Sequence, residues 1–281
     1  MNIGEFEILT AWDGFFKLDG GAMFGVVPKL LWNKSDPSDG QNRIMLGLNP
    51  MVIRWDNNVF LIDTGIGDKW DEKNADILQL DRSNSLVKSL KELNISREDV
   101  TGVIQTHLHF DHAGGSTEKD NNEIIPTFPN ATYYIQQGEW NFALNTNERT
   151  RASYLDENFV PLRENKQVEF LHGDEKIDRC IHVHVTGGHT PHHQIVFIET
   201  GGKKVCYMGD IIPTASHLKI PYIMGYDTHP MDTLREKKQL IDQALHENWL
   251  VVFAHSPRMR AGYLEDTTRG IKLSPIDLNR E

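Results

Sequence analysis

A layered α/β fold, with helices covering β-sheets, is the class that this chain predicts. Two patterns carry the expectation. Short apolar runs of strand length alternate with longer segments of helical periodicity, and polar, glycine-rich loops stand where the apolar runs end. Strands alternating with helices have sheet faces to bury, and the helices are what cover them. The 281 residues are 39% hydrophobic and 25% charged, which is enough apolar content for a full core. No Pro/Gly/Ser linker, low-complexity block or short-period repeat divides the chain, so residues 1–281 are expected to form a single domain.

Met51 to Ile62 reads as two strands joined by a turn at Asp56-Asn57-Asn58, polar residues suited to a tight hairpin. The second of these strands runs through Leu61-Ile62 into the loop Asp63-Thr64-Gly65. Asn84 to Leu93 sets Leu86, Leu90 and Leu93 at helical spacing, with Ser83 or Ser85 as N-cap. Val103 to Gln105 is a short buried strand that delivers a histidine-rich loop. Ala131 to Gln136 is another strand, followed by a polar helical stretch through about Arg151. His182 to Val185 is a strand ending at Gly187-Gly188-His189. Gln194 to Ile198 and Lys204 to Met208 pair around the Gly201-Gly202 turn. Asp232 to Asn248 is a helix burying Leu234, Leu240, Ile241 and Leu245, and Trp249 to Ala254 is an apolar strand ending at His255.

Charge narrows the partners. Lys and Arg number 29 against 40 Asp and Glu, a formal charge of -11, which argues against nucleic acid or an anionic membrane. No apolar run is long enough to span a membrane. The first residues, Met1-Asn2-Ile3-Gly4-Glu5-Phe6, have neither a basic nor an apolar leader region, so no signal peptide and a cytoplasmic location are expected. Cys180 and Cys206 sit in apolar, strand-like surroundings and read as free thiols rather than a disulfide.

Thr106-His107-Leu108-His109-Phe110-Asp111-His112 holds three imidazoles and a carboxylate almost without a gap. His107 and His109 lie two apart, so on extended backbone they leave from one face. Asp111 and His112 follow at once, as a turn would require to present a second pair of ligands. Neutral imidazole and carboxylate suit zinc, manganese, iron or cobalt. Three further candidates each stand just after an apolar strand: His189 in Thr186-Gly187-Gly188-His189, Asp210 in Met208-Gly209-Asp210, and His255 in Phe253-Ala254-His255. His182 and His184 repeat the His-x-His spacing without a neighbouring carboxylate and read as strand residues.

With these motifs the sequence resembles the metallo-β-lactamase superfamily, over about Asp63 to His255. The resemblance implies an αββα sandwich and a binuclear, metal-dependent hydrolase. It implies that His107, His109 and His189 hold one divalent ion, that Asp111, His112 and His255 hold the other, and that Asp210 bridges both. Zinc is the ion expected. Asp111 and Asp210 are then the catalytic carboxylates, Asp111 also serving as a proton shuttle. Asp63, in the Asp-Thr-Gly turn, resembles the carboxylate that orients a metal-bound histidine, and His193 is a second supporting group. The stretch from Asp19 through Gly20-Gly21-Ala22-Met23-Phe24-Gly25-Val26-Val27 to Pro28 resembles the N-terminal signature of a narrower group. That group holds quorum-quenching N-acyl-homoserine lactonases and methyl parathion hydrolase-like enzymes, so lactone ring opening by a metal-bridging hydroxide is the expected reaction. Phosphotriester or aryl ester hydrolysis is the alternative. Met23, Phe24, Val26, His217 and Tyr226 are candidates for the substrate pocket, and a homodimer is common in relatives.

The chain departs from the family in one place that bears on substrate. Many lactonases of this superfamily carry a tyrosine three residues after the bridging Asp, where this chain has Pro213; Tyr222 and Tyr226 on the following loop are candidates for the vacant role. A thioesterase of the glyoxalase II type would bring a basic C-terminal region, and the stretch from Thr267 to Glu281 shows none. A di-iron oxygen or nitric oxide reductase would carry a carboxylate among the early histidines and a flavin domain. A non-catalytic metal protein would favour a closed site, commonly of cysteines.

Overall fold

The computed structural model describes residues 1–81, 83–268 and 270–280. Two seven-stranded sheets face each other. The first runs, edge to edge, Asn2–Ile3, Phe6–Thr10, Met51–Trp55, Asn58–Ile62, Gly102–Ile104, Thr132–Gln136 and Val168–Leu171. The second runs Glu175–Lys176, Ile181–Val185, Gln194–Thr200, Lys203–Tyr207, Leu250–Val252, Ala261–Thr267 and Gly270–Ile276. Between them lies a buried layer that includes Ile8, Ile53, Ile62 and Ile104 from the first sheet and Val183, Val196, Val205 and Val252 from the second. Strands buried on both faces explain the continuous apolar runs in the sequence.

Helices close both outer faces. Leu86 and Leu90 of Leu86–Glu92, with Trp140 and Ala143 of Gln137–Leu144, cover the first sheet. Leu240, Ile241 and Ala244 of Pro230–His246 cover the second, against Phe197, Cys206 and Val251. This is the αββα layering that the resemblance implies. A fourth cluster joins the hairpin Phe15–Asp19/Arg43–Gly47 to Met23, Phe24, Trp32, Tyr222 and Met224. No helix among the described residues is long and apolar enough to cross a membrane.

Both expected hairpins form. Trp55 pairs with Asn58 around Asp56-Asn57, and Thr200 with Lys203 around Gly201-Gly202. The Ser85 hydroxyl accepts from Lys88 N and caps its helix. The polar helix after Gln136 stops at Leu144 rather than near Arg151. Asn147 ends it locally, because its Oδ1 accepts from the backbone of Arg149 and Thr150 and so competes with the helical ladder. On the long helix, Leu234 and Leu245 are only half-buried, while Thr233 and Lys237 take fully buried places on the stripe. Cys180 and Cys206 are both free thiols.

Candidate metal centre

The strand directions bring the loops to one place. Asn58–Ile62 and Gly102–Ile104 run parallel, as do Lys203–Tyr207 and Leu250–Val252. Their C-terminal ends deliver Asp63, the 107–112 loop, Asp210 and His255, and the loop after Ile181–Val185 adds His189. Carboxyl ends of strands are the usual site-bearing edge in such sheets.

The seven side chains named as ligands converge in three overlapping groups: His107, His109 and His189; His107, His112 and Asp210; Asp111, His112 and His255. Within each group the donor atoms lie within 4.8 Å of one another. Asp210 Oδ1 is 3.2 Å from Nε2 of both His112 and His255, and Oδ2 is 3.3 Å from His189 Nε2. His109 Nδ1 is 3.0 Å from His189 Nε2, and His255 Nε2 is 2.9 Å from His112 Nε2. Asp111 Oδ2 lies 3.5 Å from His255 Nε2.

Outer hydrogen bonds fix the tautomers. His112 Nδ1 donates to Asp63 Oδ2 at 2.7 Å, His189 Nδ1 to Asp227 Oδ1 at 2.9 Å, and His255 Nδ1 to Gly47 O at 2.9 Å. Thr106 Oγ1 gives its hydrogen to Asp63, which leaves a lone pair for His107 Nδ1 at 3.0 Å. In its neutral form, each of the four rings therefore turns an Nε2 lone pair inward. His107 Nε2 and Asp210 Oδ1 are buried without a hydrogen-bond partner. Buried acceptors left without a hydrogen-bond partner inside one cluster of imidazoles and carboxylates fit a shared cation.

Charge points the same way. Burial, reinforced by the neighbouring imidazoles of His112 and His189, holds His107 and His109 well below the usual imidazole range, so both are neutral donors. Burial opposes charge on His112, yet the Asp210, Asp63 and Asp111 carboxylates outweigh it and hold its pKa well above that range. Burial likewise works against ionised Asp210, but His112, His255 and His189 hold it well below the usual carboxylate range. A divalent ion displaces protons held this way.

Asp63 stands at the end of its strand, beside the cluster. It is a turn residue with φ +58°, and its carboxylate grips Thr106 N, Thr106 Oγ1 and His112. His193 accepts the Asp210 backbone N–H on Nε2 at 2.9 Å and meets Thr186 Oγ1 through Nδ1 at 2.7 Å. Gly209 lets that ring approach: a Cβ there would lie 2.5 Å from His193 Nε2, on backbone with φ +48°.

The proposed pocket residues divide. Met23 and Phe24 are buried, Phe24 between Trp32 and the His217 ring at 5.2 and 4.9 Å. His217 Nε2 donates to Met23 O at 2.9 Å, and burial lowers its pKa to about 3, so it ties two segments together as a neutral ring. Val26 projects outward at 93% exposure, and Tyr226 is 37% exposed. Tyr222 is buried against Phe24.

Two supporting carboxylates escaped the sequence reading. Asp227 sits on a loop with no periodicity to flag it. Glu139 shares the buried stripe of its helix with Trp140 and Ala143, and a carboxylate on an apolar stripe was a legible signal. Away from the centre, the fold also brings carboxylates to the second His-x-His pair, which lacks them in sequence. His184 meets Asp174 and Glu236 at 2.7 and 2.8 Å, and Glu199 lies 3.9 Å from His182.

A buried histidine–aspartate cluster on the strand ends of an αββα sandwich defines a metal-dependent hydrolase. Residues 46–255 match the metallo-β-lactamase superfamily, and the chain belongs to it. It is 27% identical over 191 residues to an N-acyl homoserine lactonase, AttM, of Rhizobium radiobacter, covering 66% of this chain and 68% of that one. It superposes on a probable metal-dependent hydrolase from Staphylococcus aureus with a TM-score of 0.91 and 31% identity, covering 100% of this chain and 99% of that one. The fold also matches the dizinc quorum-quenching lactonase AidC in complex with a product, with a TM-score of 0.82 and 21% identity over 98% of this chain and 96% of that one.

Proposed function

We propose that this chain is a binuclear metal-dependent lactonase that opens the ring of N-acyl-homoserine lactones. The convergence of five imidazoles and two carboxylates, with His107 Nε2 and Asp210 Oδ1 left without hydrogen-bond partners, carries the metal reading. The relatives named as lactonases direct it to lactones. His107, His109 and His189 would hold one ion, Asp111, His112 and His255 the other, and Asp210 faces both groups. Zinc is the ion we assign, although manganese, iron and cobalt suit the same donors. When bound, such a pair supplies Lewis acidity and an activated water at neutral pH.

Hydrolysis adds water across the ring C–O bond and yields a carboxylic acid and an alcohol. We assign Asp111, whose Oδ2 lies 3.5 Å from His255 Nε2, to carry the proton to the departing alkoxide oxygen. Tyr226 takes the role left open by Pro213. Burial, then the Asp19 and Asp111 carboxylates, push its hydroxyl up to about 12, so it keeps its proton and can donate to the substrate carbonyl.

Proton release on adding a long-chain N-acyl-homoserine lactone, with metal-loaded and chelated protein side by side, tests the reading. Fast, chelator-sensitive turnover is expected, and Tyr226→Phe should lose about tenfold in kcat/KM, the worth of one hydrogen bond, with metal content intact. Two metals per chain with no lactone turnover would overturn the substrate and turn attention to phosphotriesters and aryl esters.

A further inference from the structure

Lys237 lies mid-helix on the buried stripe of Pro230–His246 and is 0% exposed. An ammonium in that position is costly unless its donors and its charge are both used. Nζ donates to Lys219 O at 2.8 Å and to Tyr222 O at 2.6 Å. Both carbonyls begin the loop that goes on to Tyr226 and Asp227.

Burial pushes the Lys237 ammonium down to about 7 against the pull of the Asp227 carboxylate, and its charge in turn helps keep the His217 ring neutral. Asp227 has given Oδ1 to His189 Nδ1, and its Oδ2 is buried without a hydrogen-bond partner. Such a carboxylate calls for a nearby cation. Arg149 holds the same loop from outside, through Gly225 O at 2.7 Å and Asp227 O at 3.1 Å, but it is exposed and its charge is screened by solvent. Beyond Asp227 the loop is sewn to the loop that carries His189, because Thr228 N donates to His189 O and His229 N to Gly188 O, at 2.9 and 2.8 Å.

We propose that Lys237 is a positioning residue of the metal centre: its ammonium anchors the 219–227 loop and compensates Asp227, so that Asp227 keeps His189 Nε2 turned towards His109 and Asp210. The proposal rests on the reading that this cluster holds divalent ions, and not on which substrate is hydrolysed.

The test is zinc affinity, measured by competition between a chromophoric chelator and the metal-stripped full chain. Lys237→Met keeps the volume and removes the charge, and should weaken one of the two zinc ions about 10- to 100-fold, the usual effect of losing an outer partner of a ligand. Asp227→Asn should do the same, and the double variant should be no worse than either single one, because the three groups form one chain. Should Lys237→Met fail to fold, Lys237→Gln keeps one carbonyl bond without the charge and carries the same expectation. A zinc affinity within twofold of wild type, or losses that multiply in the double variant, would overturn the proposal. So would equal drops in Tm for stripped and loaded protein with affinity unchanged, the mark of a packing role alone. Wild type that takes up no zinc would sink the metal-centre reading itself, a distinct result.

Discussion

Glu139 is buried, and all of its hydrogen bonds are accepted from the chain. Oε1 takes Leu108 N at 3.1 Å and the Tyr154 hydroxyl at 2.9 Å, while Oε2 takes Thr190 Oγ1 at 2.7 Å. Leu108 separates His107 from His109, and Thr190 follows His189, so one carboxylate spans the two loops of a ligand group. Tyr154 meanwhile sets its ring 4.7 Å from His109. A Gln cannot accept at both ends, so one donor would face an amide N–H. Glu139→Gln should therefore cost about 1–3 kcal/mol in urea unfolding and lower metal affinity as well. An unchanged midpoint and affinity would show that the loops hold without it. Residues of this kind mark the limit of reading a site from sequence. His107, His109, His189, Asp210 and His255 stand out because imidazoles and carboxylates that follow apolar strands are costly to bury unless a cation uses their lone pairs. Asp227 carries no such mark, since its meaning comes from a contact 38 residues away in the chain. Glu139 and Lys237 were visible as charges on apolar stripes, but their partners were not.

His184 joins three elements at the level of secondary structure. It lies on Ile181–Val185, its Nδ1 reaches Asp174 before Glu175–Lys176, and its Nε2 reaches Glu236 on Pro230–His246. Both ring nitrogens face carboxylates, so both must carry protons. The hydrogen bond to Glu236 leads, burial opposes, Asp174 adds to it, and the pKa rises to about 9. A raised folded-state pKa gives stability that is complete below about 6.5 and is lost as pH climbs through about 9. The side chain is 35% exposed, so solvent screening leaves about 1 kcal/mol. Denaturant unfolding at neutral and at alkaline pH should show that extra loss in wild type and not in His184→Gln, and parallel losses would dismiss the clasp. Elements with strong periodicity, such as Leu86–Glu92 and Pro230–His246, were readable from the sequence because burial imposes their pattern. The hairpin Ala261–Thr267/Gly270–Ile276 was not. Its exposed positions carry Glu265 and Asp266, so it lacks a continuous apolar run, and only its pairing with Leu250–Val252 makes it part of a sheet.

Across the whole molecule, the centre is a junction between the two sheets. Asp111 and His112 come from the first sheet and His255 from the second, while His107 and His109 meet His189 across the same gap. Asp210 lies among Nε2 atoms from both sides. Without cations, the cluster confronts buried imidazoles and carboxylates whose protons must be shared out; with them, the same donors become ties between layers. Metal binding should therefore appear as folding stability of the entire chain and not only as activity. At a free ion concentration about a thousand times the dissociation constant, linkage gives about 4 kcal/mol for each site. For a chain of this size that is a rise in Tm of roughly 8–16 °C per site, and chelation should reverse it. Asp210→Ala removes the one side chain that faces both groups, so it should lose most of the metal-dependent part of Tm while the stripped protein stays close to stripped wild type. The same metal-dependent rise in Asp210→Ala would show that the two groups bind independently and that Asp210 does not bridge them.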